Sequence, residues 1–263
     1  MVLVVKTAIA ILPVLAISGI ALGLLASIEV GYRFGTRRWR RLPTLPREVS
    51  SIVQASVFGL MGLLIAFIFY GAGARFDTRR TLVAEEANAI GTAYLRLDLL
   101  PPESQPRLRE DFRAYLGARL DVNRDIPNMK AVDTDLKRSS MLQQKIWKET
   151  VEALKESGPS TQTLVLSALN QMIDIMTIRT IGFIAHLPIL VFVLLAVTAL
   201  ASSFLIGYSM STFGNRDWVP VIMFTLVVGS AMYVILDYEY PRTGLVRVDA
   251  VDYVLIQTLE KMQ

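Results

Sequence analysis

Apolar positions along this chain follow two patterns, one continuous and one periodic. Four stretches, roughly residues 7–28, 52–74, 180–206 and 218–236, contain no Asp, Glu, Lys or Arg. Crossing roughly 30 Å of hydrocarbon takes about 20 apolar residues, so each stretch is read as a membrane span. The first follows Lys6 like a signal peptide, but it exceeds the usual h-region of about 7–15 residues and is read as a retained helix. Between the second and third spans the pattern becomes periodic. Val83, Ala87, Ile90, Tyr94 and Leu97 recur at alternating steps of four and three, which puts them on one helix face. Val165, Leu169, Met172 and Met176 form a second such stripe, which runs into TIRTIGFIAHLPIL. An apolar stripe outside lipid requires a partner, and the two together predict an antiparallel pair of long helices leaving and re-entering the membrane unbroken. Some 25 residues of helix beyond the bilayer reach roughly 35–40 Å.

The predicted fold is all-α. It comprises a first transmembrane helix over 1–30, an arginine-rich loop over 31–51, and a second transmembrane helix over 52–74. An extramembrane helical stalk and cap over 75–176 forms a long helical hairpin, with cap elements at about 104–121 and 136–157 and Ser104 as a candidate N-cap. A third transmembrane helix over 177–208, a short loop over 209–217, a fourth over 218–238 and a tail over 239–263 complete it. In the tail, Asp249 is a candidate cap for an amphipathic helix bearing Val251, Val254, Leu255, Thr258, Leu259 and Met262. Such a helix either lies at the membrane interface or packs on the stalk.

Charge adds orientation. Residues 31–47 hold six arginines and no acid, whereas 75–176 hold fifteen basic and fifteen acidic residues. Lys and Arg in short loops mark the cytoplasmic side, so the arginine-rich loop is expected inside and the central section outside. The net charge of +4 is local to that loop and gives no reason to expect nucleic acid as a partner. With no cysteine and one histidine, thiolate chemistry and His-pair metal sites are excluded. Walker A, HExxH and GxSxG motifs are absent as well. No enzyme, cofactor or metal site is predicted.

The residues left with candidate roles are few. Ile65, Phe69 and Gly73 form an i, i+4, i+8 row on the second span, suited to an apolar constriction in a pore and equally to packing. Gly59, Gly62, Gly71 and Gly73 are candidates for close helix approach. Arg75 and Arg79, with Arg80, either ring a pore mouth and attract anions or anchor the helix at headgroups. Glu85 and Glu86, with Asp174 from the returning helix, are candidate ion-binding carboxylates, with pairing to Arg75, Arg79 or Arg179 as the alternative. His186, two residues before Pro188, is either functional or a neutral imidazole donating to a carbonyl freed by the proline. Asp237 and Glu239 are expected at the outer surface.

GLMGLLIAFIFYGAGARFDTRRTLVAEEANAIGTAYLRLDLLP, together with LDYEYPRTGLVRVD, resembles the bacterial family of bestrophin-like integral membrane proteins. The resemblance covers about residues 50–250 and is most specific around Arg75–Asp77 and Glu85–Asn88. It implies a relation to bestrophins, pentameric chloride channels whose second helix lines the pore, and it sets Ile65 and Phe69 where an apolar neck would stand. The resulting expectation is a multi-pass protein of the bacterial inner membrane, forming a homo-oligomeric ion channel with anions as the candidate class and a pentamer as the assembly the resemblance implies. Its partners would be copies of itself, membrane lipids and inorganic ions. The alternative is a non-conducting scaffold or sensor that binds a partner or ligand through its helical cap.

Overall fold

The computed structural model describes residues 2–41, 48–124, 128–212, 216–240, 245–246 and 249–262. Its helices are α1 (Val2–Arg41), α2 (Glu48–Leu95), α3 (Gln105–Arg124), α4 (Met129–Ala153), α5 (Pro159–Ile184), α6 (Ile189–Met210), α7 (Trp218–Glu239) and α8 (Asp249–Glu260). One turn of 3-10 helix, Arg96–Leu99, ends α2, and no strand occurs among the described residues. The protein is all-α, with four helices long and apolar enough to span a membrane.

Two expected boundaries differ. Much of the predicted arginine-rich loop is helix: α1 continues through Arg33, Arg37, Arg38 and Arg40 to Arg41, and α2 starts at Glu48. No proline interrupts that stretch of α1, and arginine is a good helix former; Arg47 lies outside the described residues. The second of the two rods is also interrupted. α5 ends at Ile184 and α6 begins at Ile189, with Ala185–Pro188 non-helical. Pro188 lacks an amide hydrogen and disfavours helical backbone at Leu187, so the charge-free run is broken where its sequence looks continuous. The first rod matches expectation: α2 runs 48 residues without a break, about 72 Å at 1.5 Å per residue.

The chain divides into two compact units, Met1–Phe76 with His186–Val246, and Asp77–Ala185 with Arg247–Gln263. In the first, Ser27, Gly31 and Gly35 of α1 form one small-xxx-small row and Ser203 and Gly207 of α6, with Ser211 just after it, form another; the close contacts are at Gly31, Gly35 and Gly207. A Cβ at Gly31 would overlap the Phe204 carbonyl, one at Gly207 the Ile28 carbonyl, and one at Gly35 the Ser211 hydroxyl. Ser27 Oγ donates to the Leu200 carbonyl at 2.8 Å. In lipid, close backbone approach replaces the hydrophobic drive that holds soluble helices together. Of the α2 glycines expected to serve this purpose, Gly73 lies by α7, a Cβ there standing 3.8 Å from Tyr238, while Gly59 and Gly62 meet nothing within 4 Å in the subunit. Leu24, Met61, Ala199 and Val228 form one small core here, and Ile68, Ala72, Leu195 and Ile235 another.

In the second unit, the two periodic stripes meet in one core. Val83, Ala87, Ile90, Tyr94 and Leu97 are buried with Val165, Leu169 and Met172, and Met176 packs against them. Arg96 bonds to the Leu164 carbonyl and Leu82 lies against Gly182, so the two helices of the hairpin run antiparallel. Fully burying a side chain such as Leu97 or Leu169 contributes about 1.5–3 kcal/mol. Leu108, Phe112, Tyr115 and Leu116 of α3 and Ile146 of α4 close the far end. The tail helix packs on this core through Leu255 and Met262, and Tyr94 Oη donates to the Met262 carbonyl at 2.9 Å. Asp249 begins α8; its side chain and that of Val251 lie outside the description.

Candidate functional site

On α2 within the first unit, burial separates two faces. Ile68, Ala72 and Phe76 point into the subunit, and the Phe76 ring stacks on Tyr238 of α7 at 5.1 Å. Gly59, Leu63, Phe67, Tyr70 and Ala74 are exposed, spaced four, four, three and four, hence on one helix face. Leu63 is 53%, Phe67 66% and Tyr70 78% exposed. The expected row lies elsewhere on the helix. Ile65 is partly buried against both small cores, the Phe69 ring is 5.7 Å from Tyr238, and a Cβ at Gly73 would stand 3.8 Å from that same ring. This row borders the subunit's own α7, with Ile65 and Gly73 partly buried and Phe69 still 41% exposed.

At one end of the first unit, a carboxylate expected at the surface is fully buried. Glu239 accepts from Arg75 Nε at 3.0 Å and from the Leu187 amide at 2.7 Å. His186 Nδ1 is 3.4 Å from its Oε1, and the imidazole stacks on Tyr240 at 4.8 Å. The lone histidine therefore has a carboxylate neighbour. Arg75 is half-buried and held by Glu239. Asp237 is also buried; it accepts from the Leu245 and Val246 amides at 3.0 and 2.8 Å, fastening the chain after α7.

In the second unit, Arg79 is buried and serves as a cap. Its Nε donates to the Gly182 carbonyl at 3.2 Å and its Nη2 to the Ala185 carbonyl at 2.8 Å, satisfying carbonyls at the end of α5 that no helical amide reaches. The three candidate carboxylates do not assemble. Glu85 and Asp174 are exposed, while Glu86 is fully buried. Glu86 accepts from Arg119 Nε at 2.5 Å and from Arg179 Nη1. Arg179 Nη2 reaches Asn123 Oδ1 at 2.6 Å, and Asn123 Nδ2 reaches Asp252 Oδ1 at 2.9 Å. The network thus joins α2, α3, α5 and α8. Burial, the largest influence, would lower the Arg119 pKa, but the charge and hydrogen bond of Glu86 and the nearby Tyr115 together outweigh it and raise it, so Arg119 is held charged inside the unit. Burial pushes the neighbouring Tyr115 hydroxyl up, keeping it a neutral partner for Gln143.

Of these residues, sequence reading identified Arg179 as a partner of the glutamates but passed over Arg119 and Asn123, which lie in the last turns of a mainly polar helix. It also passed over Leu63, Phe67 and Tyr70, because inside lipid an outward face carries no polar signature. GYRFG, one of two GxxxG patterns on α1 beside GIALG, is notable in sequence for its arginine and shows its packing role only in the structure. Among the described residues no group of three or more His, Cys, Asp or Glu could hold a metal ion.

A sequence profile of the Bestrophin-like domain matches residues 18–253. Solved structures of a bacterial Bestrophin homolog from Klebsiella pneumoniae are similar in fold. One variant has a TM-score of 0.67 at 15% identity, covering 94% of this chain and 96% of that one. Another has 0.66 at 14%, covering 95% and 98%. A third structure, phased on zinc, has 0.60 at 15%, covering 95% and 97%. No curated protein sequence matches the chain.

Proposed function

We propose that this chain, which belongs to the Bestrophin-like domain family, is the subunit of a homo-oligomeric ion channel whose pore is lined by α2. One observation carries the reading: the outward face of α2 is continuous in phase along a single unbroken helix. Gly59, Leu63, Phe67, Tyr70 and Ala74 are followed at helical spacing by Asp77, Thr81, Glu85, Asn88 and Thr92, all exposed. Around a symmetry axis, the first group supplies an apolar constriction of the kind that gates by dewetting, and the second a polar wall that keeps ions hydrated. The residues best suited to the neck are then Leu63 and Phe67, with Ile65 and Phe69 supporting them from the α7 side.

The charges on this face favour cations over the anions first expected. A basic ring needs Arg75 and Arg79, but Arg75 is bound to Glu239 and Arg79 caps α5. Arg80 is exposed and pairs with Asp77 at 3.8 Å. That leaves Glu85 as the exposed charge in the middle of the polar wall, and rings of acidic side chains suit cation pathways.

Purified protein in planar bilayers tests this reading. Phe67→Ala and Leu63→Ala should widen the constriction and raise conductance, while Ile65→Ala and Phe69→Ala should change it less. Well-incorporated, oligomeric protein that passes no current would overturn the channel and favour the non-conducting scaffold or sensor.

A further inference from the structure

The arginine-rich end of α1 holds more cationic groups than the fold uses. Glu29 Oε1 accepts from Arg33 Nε at 2.7 Å and from Arg216 Nη2 at 3.2 Å, so one carboxylate fixes two guanidiniums side by side. Arg216 also lies over the Tyr32 ring, 4.5 Å from its centre, which holds it against α1 as a cation–π pair. Asp217, the other nearby acid among the described side chains, is engaged in capping α7 through the Val219 amide at 3.0 Å. Arg33, Arg37 and Arg40 recur at four and three residues, on the helix face opposite Gly31 and Gly35, which are committed to α6. All three are exposed.

Depth identifies what this row meets. The charge-free part of α1 ends at Ile28, so Arg33 and Arg37 lie roughly 7–14 Å further along the helix, at or just beyond the headgroup layer. Arginine stems can also bend back toward the interface. Trp218, half exposed, begins α7 at the same end, and tryptophan favours the membrane–water boundary. Beside the guanidiniums a narrow cavity is lined by Ile28, Met210, Trp218 and Val221 together with Glu29, Tyr32 and Arg216. Cations beside a largely apolar groove at headgroup depth match an anionic phospholipid, with its phosphate toward the guanidiniums and its apolar part against Ile28, Trp218 and Val221.

We infer that Arg33, Arg37 and Arg216 form a binding site for the phosphate of an anionic phospholipid at the α1–α7 end of the membrane unit. Arg33 and Arg216 are pre-oriented by Glu29, and Arg37 contributes charge. The site is independent of whether the channel conducts.

The full chain, stripped of lipid in a neutral detergent, is titrated with phosphatidylglycerol, phosphatidylcholine and inorganic phosphate, with bound lipid counted by native mass spectrometry and thermal stability followed in parallel. Phosphatidylglycerol should bind and raise the melting temperature, with phosphatidylcholine and inorganic phosphate doing neither. Each arginine near a charged surface contributes about fivefold in affinity, so R37Q should weaken binding about fivefold and R33Q/R37Q/R216Q far more. R37Q touches nothing else among the described residues and keeps the test open if the triple variant misfolds. Equal binding of both lipids, or phosphatidylglycerol binding unchanged in R37Q, would overturn the site. Stabilisation by inorganic phosphate alone would replace the lipid with a soluble anion and overturn it too.

Discussion

The carboxylate of Glu239, at the last turn of α7, accepts the backbone amide of Leu187 at 2.7 Å. Leu187 belongs to the non-helical step before α6, where the amide has lost its intrahelical acceptor because Pro188 interrupts the helix. A fully buried charge is thus stabilised by a stranded donor and by Arg75 at once.

Removing that carboxylate leaves both donors unsatisfied in a dry setting. Glu239→Ala should destabilise the membrane unit by at least about 2 kcal/mol, since an unpaired buried donor and charge each cost that order. Glu239→Gln retains an acceptor for the Leu187 amide and should cost less. Thermal unfolding of both variants in the same detergent gives the comparison; equal losses would mean that the amide bond contributes nothing.

Glu86 offers a sharper contrast, because its two partners, Arg119 and Arg179, are buried with it. Glu86→Ala should cost about 3–5 kcal/mol by stranding two guanidiniums. Replacing all three with Leu, Met and Met removes the stranded charges and should recover much of that loss. Circular dichroism melts of single and triple variants decide it, and a triple variant less stable than the single one would show that the network specifies the packing of α2, α3 and α5 instead of merely tolerating its charges.

Gly31 and Gly207 sit where α1 and α6 touch backbone to backbone. Gly31→Val or Gly207→Val should prevent that approach and sharply lower the yield of folded protein, read by size-exclusion chromatography in detergent. Gly62→Ala, at a position with nothing nearby in the subunit, should fold normally. Loss of oligomer with intact monomer in Gly62→Ala would locate a contact between subunits.

The contrast among these positions explains what could be read in advance. The stripes from Val83 to Leu97 and from Val165 to Met176 were legible because water surrounds that part of the chain, so a buried face must differ in polarity from an exposed one. Within the spans the surroundings are as apolar as the core. Leu63 and Ile65 are then indistinguishable by composition, although one faces outward and the other inward. Pro188 was visible, but whether a proline kinks a membrane helix or ends it depends on who takes the freed backbone groups, here Glu239 for the Leu187 amide. The reach of Arg79 to carbonyls more than a hundred residues away has no local signature at all.

The charge of Glu85 gives the most direct test of ion class. It lies on the same outward face as Leu63 and Phe67, fifteen or more residues further along α2, and no described side chain neutralises it in the subunit. A unit charge about 6 Å from an ion in water changes local occupancy by about threefold, and symmetry repeats the effect once per subunit. In a potassium chloride gradient across a planar bilayer, the unmodified channel should therefore reverse on the cation side. Glu85→Gln should move the reversal potential toward zero, and Glu85→Lys should carry it past zero. Asp174→Asn, at an exposed position on α5 instead of α2, should leave it unchanged. Current that reverses on the anion side before any substitution would remove the cation assignment while leaving α2 as the pore helix. A reversal potential indifferent to Glu85→Lys in a conducting channel would mean that this stretch of α2 does not face the permeating ion.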